Sequence, residues 1–377
     1  MSQLLTGKPQ LNRVVNRRLI LDRIRRDGRV SRARIAKVTA IRPPTVSAVV
    51  KELISEGLVE EVGSGQTNGG RAPRMVALSR NQPRALGFEM SETSILAGVC
   101  DLVGSPCRQV RVPYSPVEPQ QAIEQLHEIG SGLLESAGTN WDAMQGVGVA
   151  LPGHLDTAAG HVRWSRPFGW RDVALKEMCE QRWSVATDVV NDSLAGGMAA
   201  HFFGVAKTVR NLVFLYLRFR DASHGVVGLG SGIIVNGEPY HGEFGAAGEI
   251  TTPIEHPLAD ARDAAGNPYA DMDALVGAFI RDEPGAARAV DRLARDLSTL
   301  VLHAVNFLEP GMLIIGSDIS ELRDPVLDRL TRIVQSHTVD YVPGKTQIVG
   351  STLGEYGVVR GAVVPTLQRV FRMPRWS

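Results

Sequence analysis

Cysteine is scarce: Cys100, Cys107 and Cys179 are the only three in 377 residues, and no two share a Cys-x-x-Cys spacing. A disulfide framework and a cysteine-rich zinc site are both excluded on that count, and a reducing, cytoplasmic setting is expected. No apolar run approaches the ~20 residues that cross a bilayer. The opening MSQLLTGKPQ lacks the apolar core of a secretory signal. Net charge is nearly absent too, at +1. What is present, 44% hydrophobic and 21% charged residues, describes a soluble globular protein long enough for two or three domains.

The small net charge hides a division. Residues 1–80 hold 16 Lys and Arg against 6 Asp and Glu, a net +10, whereas the remainder holds 25 against 34, a net −9. A basic head on an acidic body suggests that only the head meets a polyanion. NRVVNRRLILDRIRRDG (12–28) sets Val15, Leu19 and Ile24 near helical spacing and stops at Gly28. Ser31 suits the N-cap of RARIAKVTA. In IRPPTVSAVVKELISEGLVEEV, Pro43 suits a first helical turn, and Val46, Val49, Val50 and Leu53 form one inward stripe. Helix, short turn and helix make a helix-turn-helix, whose second helix would offer Arg42, Thr45, Ser47 and Ala48 to base edges. LVEEV and RMVAL read as two strands around GSGQTNGGRAP, a wing with Arg71 at its tip suited to a narrow minor groove. Arg32, Arg34, Lys51 and Arg74 are candidate phosphate contacts.

The segments NRRLIL (16–21), SRARIAKVTAIRPPTVSAVVKELISEGLVEEV (31–62) and GGRAP (69–73) resemble the winged helix of the ROK family (repressors, open reading frames, kinases). Ile41-Arg42 departs from the family's usual Leu-Ser, which removes a typical N-cap.

Beyond residue 84 the pattern turns α/β. ALGFEM, SILAGVCDLVG and RQVRVPY read as a meander. AIEQLHEIGSGLLESAG and RLARDLSTLVLHAVNFLEP read as helices, and GVGVALPG and MLIIG as buried strands. NLVFLYLRF and GLGSGIIVNGEPY form a strand pair. The family likeness continues through GVGVALPGHLD (146–156), FGWRDVAL (168–175), VVNDSLAGG (189–197), GLGSGIIVNGEPYHG (228–242), GAAGEI (245–250) and NFLEPGMLIIG (306–316). It implies a two-lobed, actin-like (ribonuclease H-like) body with a sugar cleft between lobes, and a dimer or tetramer. The division expected is a winged helix-turn-helix over 1–80 and a ROK body over 81–377. Its lobes should part near residue 190, and the C-terminal segment should return to the first lobe.

The resemblance places Asp192 at the kinases' base position and Asn191, Asp192 and Glu249 at sugar contacts, with Gly153 ending the preceding strand. Asp192 alone could also be a helix N-cap, and Glu249 a turn residue. The kinases' phosphate loop, roughly Asp-x-Gly-Gly-Thr-Lys, is here GFEMSETSI, with Glu89, Ser91 and Glu92. Their Gly-Thr-Gly is Val226-Val227-Gly228, and their adenosine-side Gly-Gly is Gly316-Ser317. Glycines that would let backbone approach phosphate are missing, so no ATP chemistry, no catalytic residue and no cofactor are expected. GLGSG runs into IIVNGEPY, not a helix, which excludes a dinucleotide loop. Zinc-bearing members have a histidine where Thr252 stands, followed by cysteines absent here. No metal is expected, and His256 reads as polar surface.

In Arg166-Pro167-Phe168-Gly169-Trp170 the family's sugar-touching Asn is missing. Arg163 and Arg166 close by raise an acidic or phosphorylated sugar as a hypothesis, beside the simpler reading of a surface arginine pair. The expected function is a DNA-binding transcriptional regulator, a repressor, that binds a double-stranded operator as a symmetric homo-oligomer and responds to a sugar in the cleft. A sugar kinase with an added DNA-binding domain and a protein-interaction scaffold are the alternatives.

Overall fold

The computed structural model describes residues 9–64, 73–80, 84–220, 226–337 and 346–371. The head opens with α1 (Pro9–Asp27). Its inward stripe is Ile20, Leu21 and Ile24. Leu19 is 39% exposed, because at ~100° per residue it falls outside the arc that those three share. After β1 (Val30–Ser31), α2 (Arg32–Thr39) starts on Ser31, whose Oγ accepts the Arg34 N–H at 3.2 Å. Then α3 (Pro43–Ser55) buries Val46, Val49, Val50 and Leu53 and has no side-chain cap at Arg42. The wing strands β2 (Val59–Ser64) and β3 (Arg74–Leu78) pair antiparallel. The sequence reading missed β1, which joins as a third strand in the order β1-β3-β2. Two residues are too short to show strand periodicity.

The first lobe begins with the meander β4 (Ala85–Met90), β5 (Ser94–Cys100) and β6 (Pro106–Pro113). α4 (Pro119–Ser136) crosses back to β7 (Gly146–Leu151). A small sheet follows, of β8 (His154–Asp156), β9 (His161–Ser165) and β10 (Trp170–Val173). Then come α5 (Leu175–Trp183), β11 (Thr187–Asn191) and α6 (Asp192–Phe202). The main sheet runs β11-β7-β4-β5-β6, and β4, β5 and β7 are buried at every residue, as strands covered on both faces must be.

The second lobe repeats the logic with β12 (Leu212–Arg218), β13 (Gly228–Val235) and β14 (Glu238–Pro239). α7 (Met272–Ile280) and α8 (Pro284–Leu308) precede β15 (Met312–Ser317). α9 (Ser320–His337) and β16 (Gln347–Gly350) complete a sheet in the order β14-β13-β12-β15-β16. α10 (Gly357–Ala362) and α11 (Val364–Phe371) then lie back against β4 and β7 of the first lobe.

Between the two sheets sit α6 and α10. They cross so closely that a Cβ on Gly361 would lie 1.8 Å from the Ala195 carbonyl oxygen. On the other side of α6, a Cβ on Gly232 would lie 2.4 Å from the Ser193 carbonyl oxygen. The second-lobe strands therefore press directly on α6, in the layer that separates the lobes. Among the described residues the core of the head is continuous with the body. Ile20, Leu21 and Ile24 of α1 pack in one cluster with Leu102, Leu367 and Phe371 of the body.

Candidate DNA-binding surface and ligand cleft

At the start of α3, Arg42, Pro43, Ser47, Ala48 and Lys51 are exposed and Thr45 is half-buried. The apolar stripe turns inward, so the polar first turn faces solvent. α3 is held from behind by Arg13 donating to Glu52 at 2.7 Å and by an Arg17–Glu56 ion pair, both from α1. Of the candidate phosphate contacts, Arg32 and Arg74 share one carboxylate on the wing, Glu61, at 2.9 and 3.0 Å. Arg34 faces Asp27 at 3.5 Å. Arg71 and the wing tip lie outside the described residues.

Gly153, Asn191, Asp192 and Glu249 line one cleft between the lobes, with Arg218, Ser231 and His241. Asn191 and Asp192 arrive there because β11 ends under the sheet's C-terminal edge and α6 begins at once. The cap of α6 is Asn191, not Asp192: its Oδ1 accepts the N–H groups of Ser193 and Leu194 at 2.9 and 3.1 Å. Asn191 alone has the extended backbone a cap needs, whereas Asp192 is already helical. The Asn191 amide donates to the Gly153 carbonyl at 3.1 Å, so it fastens the two strand ends together.

Asp192 is 2% exposed and therefore requires partners. Its Oδ1 accepts from the Ser193 N–H at 2.7 Å, and its Oδ2 forms an ion pair with Arg218 at the end of β12. The sequence reading missed Arg218. The signal was available: a cation closing the otherwise apolar run Leu212–Leu217. Arg163 is paired with Asp156 at 3.0 Å, and neither it nor Arg166 lines the cleft, so neither is placed to meet an acidic group there. The cation in the cleft is Arg218. Burial and the nearby Asp192 push the Glu249 carboxyl above its ordinary range.

Arg218 separates this cleft, about 60 Å³, from a cavity of about 310 Å³ on the phosphate-loop side. There Glu89 of β4 accepts a hydrogen bond from the Tyr216 hydroxyl of β12 at 3.0 Å, a second polar tie between the lobes. Burial, and then the Asp192 charge, push the Glu89 carboxyl up to about 8, so it is largely protonated at neutral pH. His256 is a correction of a different kind. It is 2% exposed, not surface, with Nε2 2.9 Å from the Phe219 carbonyl oxygen and its ring edge-on to Phe219. Its loop folds over the end of β12, where a bridge joins Val226 to Glu255. Among the described residues no three His, Cys, Asp or Glu side chains converge as a metal site, and no helix is long and apolar enough to cross a membrane.

The chain matches the model of the ROK family over residues 85–252 and 258–368, and a winged helix-turn-helix DNA-binding model over 15–60. It is 24% identical to the xylose repressor of Bacillus subtilis, across 90% of this chain and 92% of that protein. A crystal structure of a ROK family transcriptional regulator, a homolog of the Escherichia coli MLC protein, superposes with a TM-score of 0.75 at 17% identity. The match covers 96% of this chain and 98% of that one. A ROK family glucokinase from Streptomyces griseus, in complex with glucose and AMPPNP, superposes with a TM-score of 0.62 at 20% identity. Here the cover is 74% of this chain and 97% of the other.

Proposed function

This chain belongs to the ROK family as one of its winged-helix DNA-binding transcriptional regulators, and we propose that a carbohydrate in the interlobe cleft controls its grip on an operator. The observation that carries the reading is one contiguous core joining the head to the body that holds the cleft. In this reading the first turn of α3, Arg42 to Ser47, meets base edges, and Lys51 meets phosphate. Asp192, Glu249 and the Gly153 carbonyl face the sugar hydroxyls, since carboxylates and carbonyls accept the donors that a polyol presents. Asn191 holds the strand ends that shape the cleft. The protein acts in the cytoplasm as a symmetric homodimer or tetramer on a pseudo-palindrome.

Phosphoryl transfer is not part of this function. Asp192, which a kinase would use as base, has its outward oxygen on a guanidinium. On the phosphate side the end of β4 and the turn after it carry Glu89, Ser91 and Thr93 where the family's kinases have a glycine-rich loop, and the Glu89 carboxyl faces the cavity. ATP turnover with any sugar would overturn this. The sensor reading is tested with a duplex selected from a random library by the wild-type protein, followed by titration with xylose, glucose, N-acetylglucosamine, glucuronate and glucose 6-phosphate. At least one sugar should weaken the DNA complex. Indifference to all of them, together with no thermal shift, would end the reading.

A further inference from the structure

α6 has one end in the cleft and the other at the head. It starts at Asp192, beside Arg218, and ends at Phe202, about 15 Å away at 1.5 Å per residue. The guanidinium of Arg25, on α1 of the head, lies over the Phe202 ring at 4.7 Å and over the Phe371 ring of α11 at 5.6 Å. Arg25 is fixed in that position by its donation to Asp22 at 2.8 Å. The neighbouring Phe203 stacks edge-on against Phe202 at 4.9 Å and lies under Arg360, whose Nε donates to the Gly104 carbonyl at 2.7 Å. Head, α6 and the C-terminal helices thus meet at one aromatic joint. Gly361 of α10 and Gly232 of β13 let backbone pack directly on opposite sides of α6.

The other end holds an ion pair between the lobes. Asp192 of the first lobe grips Arg218 of the second at the wall of the cleft. A sugar hydroxyl that takes the outer Asp192 oxygen competes with Arg218 for it, which loosens a polar tie between the lobes. We propose that α6 carries this exchange to the head as a rigid-body shift, with Arg25 on Phe202 as the contact that reads it. This inference rests on the ligand-controlled reading above. Shifts of 1–2 Å in packed helices suffice for such coupling. Cation–π geometry is sensitive to that displacement, because the cation must stay over the ring face.

The test is a double-mutant cycle on the full chain, read as affinity for the library-selected duplex without any ligand. Arg218→Met imitates the parted tie, and Phe202→Leu removes the ring while keeping an apolar side chain. Arg218→Met should change duplex affinity about tenfold, within the usual range of allosteric coupling. In the Phe202→Leu background the change should fall below about twofold, and Phe202→Tyr, which keeps the ring, should restore it. A merely structural joint would lower the melting temperature and leave the Arg218→Met effect unaltered, which would overturn the proposal. No effect of Arg218→Met in either background would overturn it as well. Should Phe202→Leu fail to fold, Arg25→Met at the half-buried partner closes the same cycle. A wild type deaf to the whole sugar panel but with a non-additive cycle would end the sensor reading alone. A sugar-responsive wild type with an additive cycle would end the link alone.

Discussion

The head and the cleft handle their polar groups in opposite ways. On the head, α3 keeps its first turn exposed, while the cations behind it and on the wing pair with nearby acids: Arg13 with Glu52, Arg17 with Glu56, Arg32 and Arg74 with Glu61. In the cleft the central groups are engaged with each other, Asp192 with Arg218 and Asn191 with the backbone of α6 and Gly153. The head is a finished surface, ready for a rigid groove. In the cleft a ligand competes with an internal partner, which is what makes it suited to switching: a ligand shifts an equilibrium only by binding one arrangement better than the other.

The sharpest way to break this contrast is at Asp192. Asp192→Ala leaves Arg218 in a buried setting without its carboxylate and should cost about 3 kcal/mol in urea unfolding, along with the sugar response. An unchanged midpoint would mean that the cleft is as solvated as the head. Next comes Arg42→Ala, expected to weaken the selected duplex by about tenfold through a lost base-edge contact worth ~1–3 kcal/mol, with no change in unfolding. A loss of stability there would make α3's start a structural site.

The third test uses Glu89. Its folded carboxyl titrates near 8, against about 4.5 when unfolded, so the folded state holds a proton that the unfolded chain has released. That stabilising contribution is complete below about pH 4.5 and is lost as pH rises towards 8, at up to ~1.4 kcal/mol per pH unit. Glu89→Gln, which keeps the Tyr216 bond without a titrating group, should flatten melting temperature across pH 5.5 to 8.5 relative to wild type. Equal slopes would show that Glu89 is charged and solvated. The smallest effect is expected at Lys51→Ala, which should lower the salt dependence of duplex binding by about one unit in log–log slope. An unaltered slope would remove Lys51 from the phosphate contacts.

How much of this was legible depended on range. The helices and the turn of the head follow from residues three and four apart, so Val46, Val49, Val50 and Leu53 announced their face. Leu19 did not, because a helix in contact with both head and body has more than one apolar side, and spacing does not say which is buried. The cleft draws on residues as distant as Gly153 and Glu249. Order along the chain, matched to a family pattern, brought Asn191, Asp192 and Glu249 into the candidate set. Chain order could not have paired Asp192 with Arg218 or Glu89 with Tyr216, since those contacts exist only once two sheets have packed around α6. His256 is a similar case, a polar residue whose buried position depends on a carbonyl 37 positions away.

By itself the sequence determined a basic, winged-helix head on an α/β body of the ROK type, because periodicity, caps and charge act within a few residues of one another. Tertiary structure alone decided which of the polar groups are engaged. Burial makes an unpartnered charge costly, and only the assembled fold determines that Asp192 meets Arg218 and that the helix starting at Asp192 ends against Arg25 of the head.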